Sequence, residues 1–285
     1  MVTTKDFLSA VLPDEGNYCV VGLKKEEKPK QKFVSSLEEI ESLGKELVDN
    51  GYEAYFALAS FGNPKEGRTA DNATHLKSFF IDIDCGANKP YADQAEGLAA
   101  LKQFLKDTGL SKPVIVNSGR GIHAYWPLEG ALPAFVWKPL AEKLKGLCAQ
   151  HKLEADPAVT SDCARILRIP GTLNFKDPEN PAPVEILTPL VVVDVATVQT
   201  ALDKYEDIFA GMGARPHIPR GMDSLTMLLS GNSQARFKTI MLKSVEGKGC
   251  NQLLHIYENQ ETIEEPLWRA GLSIAQQCVD RDKAI

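Results

Sequence analysis

Apolar and polar positions along the chain change period repeatedly, and each change marks an element. Phe79-Phe80-Ile81-Asp82-Ile83-Asp84 is an apolar run of strand length interrupted by two acids. In an extended chain alternate side chains share a face, so Asp82 and Asp84 project together while Ile81 and Ile83 turn to a core. Upstream, Asn17–Leu23 and Tyr52–Phe61 read as strands, and Lys24–Lys32, rich in Glu, Lys and Pro, reads as an exposed loop. Ser36-Leu-Glu-Glu39 has capping-box spacing, Ile40, Leu43 and Leu47 recur on one helical face, and Gly51 follows as a stop, which predicts a helix. Gly62–Asn72 is polar and contains Arg68.

Downstream, a helix is predicted to open at Lys89-Pro90, carry Leu98, Leu101 and Leu105 as a stripe, and end near Gly109. Pro113–Val116 is a short strand, Asn117-Ser-Gly-Arg-Gly-Ile-His123 a glycine-bearing turn, and Ala124-Tyr-Trp126 the next strand. Trp137, Leu140, Leu144, Leu147 and His151 predict another helix, Val184–Leu187 a closing strand, and Val195, Val198, Leu202 and Tyr205 one more helical face. Three glycines and two prolines in Gly211–Gly221 predict a linker, and 224–230, 234–244 and 262–278 read as helical. Strands alternating with helices around the acid pair indicate an α/β (α+β) fold. The expected division is a domain over 1–205, a linker over 206–222 and a helical domain over 223–285.

Composition narrows this picture. With 285 residues, 44% of them hydrophobic, the chain has room for one large core and a smaller one. A net charge of -6 excludes a uniformly basic nucleic-acid coat but leaves room for a local positive channel. The six cysteines are scattered without a Cys-x-x-Cys, as expected of reduced, mostly buried thiols. The N-terminal residues lack a signal-peptide apolar region, and no run approaches the roughly 18 apolar residues of a membrane span. The expectation is a cytoplasmic protein. Asp280–Ile285 follows a periodic segment without a helix stop, as expected of a chain that continues.

The chemistry centres on the acid pair. Two carboxylates on one strand face repel unless a cation or a proton intervenes, and hard oxygen donors suit Mg²⁺ or Mn²⁺ with a substrate phosphate. Because the Asn117–His123 turn lies between two strands, it is neither a Rossmann nor a Walker loop, whose glycines open a helix. Its glycines let backbone approach a phosphate, and His123 can donate to one. Further along stand Asp156 and Asp162, then Arg165, Arg168 and Lys176. Three acids can hold two ions about 3.5–4 Å apart for nucleotidyl transfer, and arginines offer bidentate donors to a triphosphate.

The order Asp-x-Asp, small-x-His and a later Asp, followed by Ala164-Arg-Ile-Leu-Arg-Ile-Pro-Gly-Thr-Leu-Asn-Phe-Lys176, resembles the archaeo-eukaryotic primase superfamily, in particular phage and plasmid primase-polymerases. The likeness extends over Tyr18–Pro189. It implies a small α/β module over about Met1–His75 packed on an RRM-like sheet that carries the acids, followed by a small helical domain. It further implies primase and DNA polymerase activity, with Asp82, Asp84 and Asp156 binding two Mg²⁺ or Mn²⁺ ions. His123, Ser118, Arg120, Gly121, Arg165, Arg168 and Lys176 would contact the incoming nucleotide. The implied partners are single-stranded DNA template and primer, nucleoside triphosphates and a helicase region beyond Ile285, in the host cytoplasm if phage-encoded. Where many relatives carry serine this chain has Gly121, so a hydroxyl contact would fall to Ser118 or to backbone, with Arg120 compensating. Asp162 stays open as the third ligand. A DxD-type glycosyltransferase and a non-catalytic replication-initiation module are the other readings of the same residues.

Overall fold

Helix α1 (Thr4–Val11) begins a chain order that continues β1 (Tyr18–Leu23), β2 (Lys30–Val34), α2 (Leu37–Asp49), β3 (Glu53–Ala57), β4 (Ala59–Phe61) and β5 (Ala73–Ile83). It runs on through α3 (Gln94–Thr108), β6 (Val114–Asn117), β7 (Ile122–Pro133), α4 (Ala134–Gln150), α5 (Pro157–Thr160) and β8 (Ile166–Arg168). The short strands β9 (Leu173–Asn174), β10 (Ala182–Pro183) and β11 (Glu185–Ile186) and helix α6 (Val195–Leu202) follow. The computed structural model describes residues 2–204, 237–247, 249–260, 262–263 and 265–276, and the chain divides into units Met1–Asp207 and Ile208–Ile285.

In the first unit one sheet has the order β2-β1-β3-β8 and a second β11-β6-β7-β5-β4, with β9 and β10 as a separate pair. Every strand ladder among the described residues is antiparallel, so the mixed fold is of the α+β kind and not a parallel βαβ sheet. Strand β5 is the spine of the larger sheet. Ser78, Phe79, Phe80 and Ile81 are all fully buried, which explains why this stretch reads as a continuous apolar run and not as an alternation. Trp137 of α4 stacks on Phe79 and Phe80, with centroids 5.7 and 5.4 Å away, and its indole N–H donates to the Ser78 carbonyl at 2.9 Å.

Four expectations need correction. The strand expected over Tyr52–Phe61 is two strands in different sheets, because the chain crosses at Leu58, whose N–H donates to the Arg165 carbonyl at 3.0 Å. Ala57, Leu58 and Ala59 are all buried, so no polar residue marks the crossing. The loop expected over Lys24–Lys32 gives up its end to β2, where Lys30, Gln31 and Lys32 pair with Gly22, Val21 and Val20 as an exposed lysine-bearing edge. The helix expected from Lys89 starts at Gln94, where Asp93 supplies the cap by accepting from the Glu96 N–H at 2.9 Å. The module expected over Met1–His75 is not contiguous: β4 and β5 belong to the larger sheet, while β8, from far downstream, completes the smaller one beside β3.

Helix α1 was not anticipated. Thr3 and Asp6 cap it reciprocally, and Phe7 inserts between the sheets, edge-on to Phe56 of β3 at 6.1 Å and to Tyr125 of β7 at 5.0 Å. In the second unit the described helices are Phe237–Val245, Asn251–Glu258 and Glu265–Gln276, with Met241, Leu253, Ile256 and Ala275 buried. The first and last of these overlap the expected helical stretches, and the middle one was missed. The expected linker and the helical stretch 224–230 lie outside the described residues.

Candidate active site

Asp82 sits near the end of β5, in register with His123 on β7, which in turn faces Val116 of β6. The His123 Nε2 lies 3.7 Å from Asp82 Oδ1, and its Nδ1 is 3.2 Å from the Tyr125 hydroxyl. When Tyr125 donates to Nδ1, the ring proton rests on Nε2, directed toward the acids. Burial, aided by Arg168 and Arg165, pushes the imidazole down to about 3, so it is neutral near pH 7.

Asp84 follows one residue after β5 and its Oδ2 accepts from Lys89 Nζ at 2.6 Å. Asp156 arrives from the other side: its N–H donates to the Asp82 carbonyl at 2.8 Å, which pins the start of α5 to the end of β5. Its carboxylate caps α5, Oδ1 accepting from the Ala158 N–H at 2.8 Å, while Oδ2 lies 3.9 Å from Arg165 Nη2. The Asp82 side chain is only 21% exposed. Burial, reinforced by the charges of Asp84 and Asp156 and opposed by Arg165 and Arg168, raises its carboxyl to about 7. Asp162 instead accepts from the Ala164 N–H at 2.9 Å within its own turn.

The arginines are held by the smaller sheet. Arg168 Nη2 donates to Glu53 Oε1 at 2.9 Å and its guanidinium lies 4.8 Å from the Tyr55 ring centre, while Tyr55 donates to the other Glu53 oxygen at 3.0 Å. Among the described residues, Arg168 Nη1 and Arg165 Nε are buried donors without an acceptor, so two N–H vectors beside the acids are free for an anion.

The turn before His123 is tightly built. Gly121 N–H donates to Ser118 Oγ at 3.1 Å, Ser118 N–H to the Gly121 carbonyl at 3.0 Å, and Gly119 adopts φ +89°. A Cβ on residue 121 would lie 2.6 Å from the Ile83 carbonyl oxygen, so glycine answers a close approach to β5. The Ser118 hydroxyl is thus engaged in the turn. Arg120 reaches outward to Asp177 at 3.5 Å, and the Lys176 side chain is exposed. The structure therefore brings Asp82, Asp84, Asp156, His123, Arg165 and Arg168 together, whereas Arg120 and Lys176 lie at the periphery.

Sequence reasoning missed the residues that hold these in place. Gln94, at the first turn of α3, donates to Asn117 Oδ1 at 2.7 Å and to the Gly121 carbonyl at 2.9 Å, and Asn174 donates to the Ser118 carbonyl at 2.8 Å. Glu53, Tyr55, Lys89 and Tyr125 were missed too. Of these only Lys89, five residues after Asp84, had a signal in its spacing.

Among the described residues no group of three or more His, Cys, Asp or Glu side chains converges to hold a metal ion. Asp82 and Asp84 fit a hard divalent cation by donor type and by the carboxylate repulsion that, after burial, raises Asp82. Asp156 is near enough along the backbone, but its carboxylate is turned to the α5 cap. No helix among the described residues is long and apolar enough to cross a membrane.

No family model matches the chain. A curated replication protein of Clostridium perfringens is 28% identical over 170 residues, which cover 58% of this chain and 35% of that protein, so the chain spans about a third of the relative's length. Among solved structures, the AEP domain of the cyanophage S-2L primase-polymerase superposes with a TM-score of 0.49 at 18% identity, covering 66% of this chain and 89% of that one. Primase RepB' does so with a TM-score of 0.46 at 14% identity, covering 97% and 90%. Over the 170 matched residues the chain is thus similar in sequence to a replication protein.

Proposed function

We propose that this chain is a primase-polymerase that joins nucleotides on a single-stranded DNA template. The observation that carries the reading is the pairing of an acidic cluster, Asp82, Asp84 and Asp156, with Arg165 and Arg168, whose buried Nε and Nη1 respectively have no acceptor among the described residues. Acids alone suit a cation and arginines alone suit an anion; together they suit a metal-bound triphosphate. In this reading a 3'-hydroxyl oxygen bonds to the α-phosphorus as the bond to pyrophosphate breaks.

Asp82 and Asp84 would hold Mg²⁺ or Mn²⁺, with Asp156 joining when its carboxylate leaves the α5 cap. A bound divalent ion supplies compensation for the charge of the phosphates and the attacking oxygen. Arg168, braced by Glu53 and Tyr55, presents Nη1 to the triphosphate, and Arg165 presents Nε. His123 donates from Nε2 as a neutral group, which adds direction without a second charge. A non-catalytic DNA-binding module is the second reading, favoured by the engagement of Asp84 with Lys89 and of Asp156 with its cap.

The deciding experiment supplies single-stranded template, labelled nucleotides and Mg²⁺ or Mn²⁺, with and without a primer. Template-dependent products that vanish in Asp84→Ala support the enzyme. Template binding with no incorporation under any of these conditions selects the second reading.

A further inference from the structure

At the far end of β6 from the His123 turn lies a groove of about 590 Å³ between α3 and the segment that follows β11. Its floor is Leu101, Leu110 and Ile115, and Leu105 and Leu187 form its sides. Leu187 is 50% exposed, although its N–H is fixed by the Ile115 carbonyl at 2.8 Å, so an apolar side chain is held out over the opening by a rigid backbone. Lys102, Lys106 and Lys112 rim the same groove, all three exposed and none with a carboxylate partner among the described residues. At 100° per residue, Lys102 and Lys106 both lie along one side of the Leu98–Leu105 stripe of α3, whereas Asp107 lies on the opposite face, accepting from Gln103 at 2.7 Å.

We propose that this groove docks an acidic amphipathic helix of a partner protein, with apolar residues at i, i+3, i+4 and i+7 entering between Leu105 and Leu187 and carboxylates meeting the three lysines. Apolar floor and unpaired cationic rim select this occupant together. A nucleic-acid strand would neutralise the lysines but leave Leu187 in water. A second copy in a two-fold arrangement would set lysines against lysines. An acidic helix satisfies both features at once. In a chain of net charge -6, three clustered lysines without carboxylate partners among the described residues also make a local field of opposite sign, which steers an acidic ligand to this face.

The test uses the full chain and a fluorescein-labelled helical peptide of about four turns, with leucines at the stated spacing and glutamates elsewhere, against a counterpart with lysines replacing the glutamates. Fluorescence anisotropy should show saturable, salt-sensitive binding of the acidic peptide only. Lys102→Glu combined with Lys106→Glu should weaken it by about ten-fold, and Leu187→Asp should weaken it similarly. All of these positions are exposed, so melting and nucleotide incorporation should match the unsubstituted chain. Equal binding of the basic peptide, no saturable binding of the acidic one, or undiminished affinity in both variants would overturn the proposal. So would competition by a single-stranded oligonucleotide whose own binding the lysine variant abolishes, which assigns the groove to nucleic acid. Self-association of the chain that Leu187→Asp abolishes would assign it to a second copy, and equally overturn it.

Discussion

Asp82 and His123 face each other across two strands, and burial acts on them with opposite sign. Asp82 keeps its proton up to about 7 in the folded chain, against an ordinary value of 3.8, so the folded state binds the extra proton between those values and loses stability as pH rises through them. His123, held down to about 3 against 6.5, refuses a proton that the unfolded chain accepts, so its contribution to stability is lost as pH falls below 6.5. The slopes oppose each other from pH 4 to 6.5. In Asp82→Asn the histidine slope remains, so melting temperature should climb with pH over that window and lie above that of the unsubstituted chain at pH 8, where the variant should be the more stable by about 1–3 kcal/mol. His123→Gln should decline over the same window. Scanning fluorimetry without divalent ions checks both, and indistinguishable profiles would remove the coupling. A second residue-scale comparison separates the two later acids. Asp156 is tied to the Asp82 carbonyl and acts on the Asp82 charge, whereas Asp162 is occupied with the Ala164 N–H. Asp156→Asn should lower incorporation by two or more orders of magnitude, and Asp162→Asn by less than ten-fold; steady-state rates in the reverse order would reassign the acid.

At the scale of elements, the Asn117–His123 turn and helix α1 do the positioning. Replacing Gly121 with alanine pushes a methyl against the Ile83 carbonyl, where backbone cannot give way as a side chain can. We expect a cost of about 1–3 kcal/mol and a larger loss of activity, because the turn that carries His123 is displaced from β5. Wild-type denaturant midpoint and activity in Gly121→Ala would contradict the close approach. Phe7 joins the two sheets through Phe56 and Tyr125. Phe7→Ala should therefore cost about 3–5 kcal/mol in urea unfolding, with residual activity falling in proportion to the folded fraction. The α1 signal was present in the sequence, as Thr3 and Asp6 at capping-box spacing ahead of Phe7, Leu8 and Val11, but the segment is short enough for the pattern to pass as a loop.

On the scale of the molecule, the candidate site is assembled from both sheets. The larger sheet supplies Asp82 and His123, and the smaller one supplies Glu53, Tyr55 and Arg168, joined because β8 pairs with β3 across more than a hundred residues of chain. All of these lie within Met1–Asp207, whose core is one continuous apolar cluster. A chain shortened to that unit should fold and extend a primer. Starting a new strand should weaken, since the first nucleotide has no duplex to anchor it and its ordering costs more translational entropy. Equal priming by the shortened and full chains would leave the helices after residue 236 without a part in initiation.

The sequence by itself determined the local pieces: the strand that carries two acids on one face, the glycine turn before His123, the capped helix α2, and the arginines at i and i+3. Each of these is written in spacing over a few residues, where backbone period and capping act directly. The tertiary structure decided the rest. It split Tyr52–Phe61 between sheets, recruited β8 to the smaller sheet, tied the backbone N–H of Asp156 to the Asp82 carbonyl, and set Gln94 and Glu53 as braces for the turn and for Arg168. Those choices rest on pairings between residues far apart in the chain, whose free energy comes from shared burial and shared donors, and no local period records which distant partner will supply them.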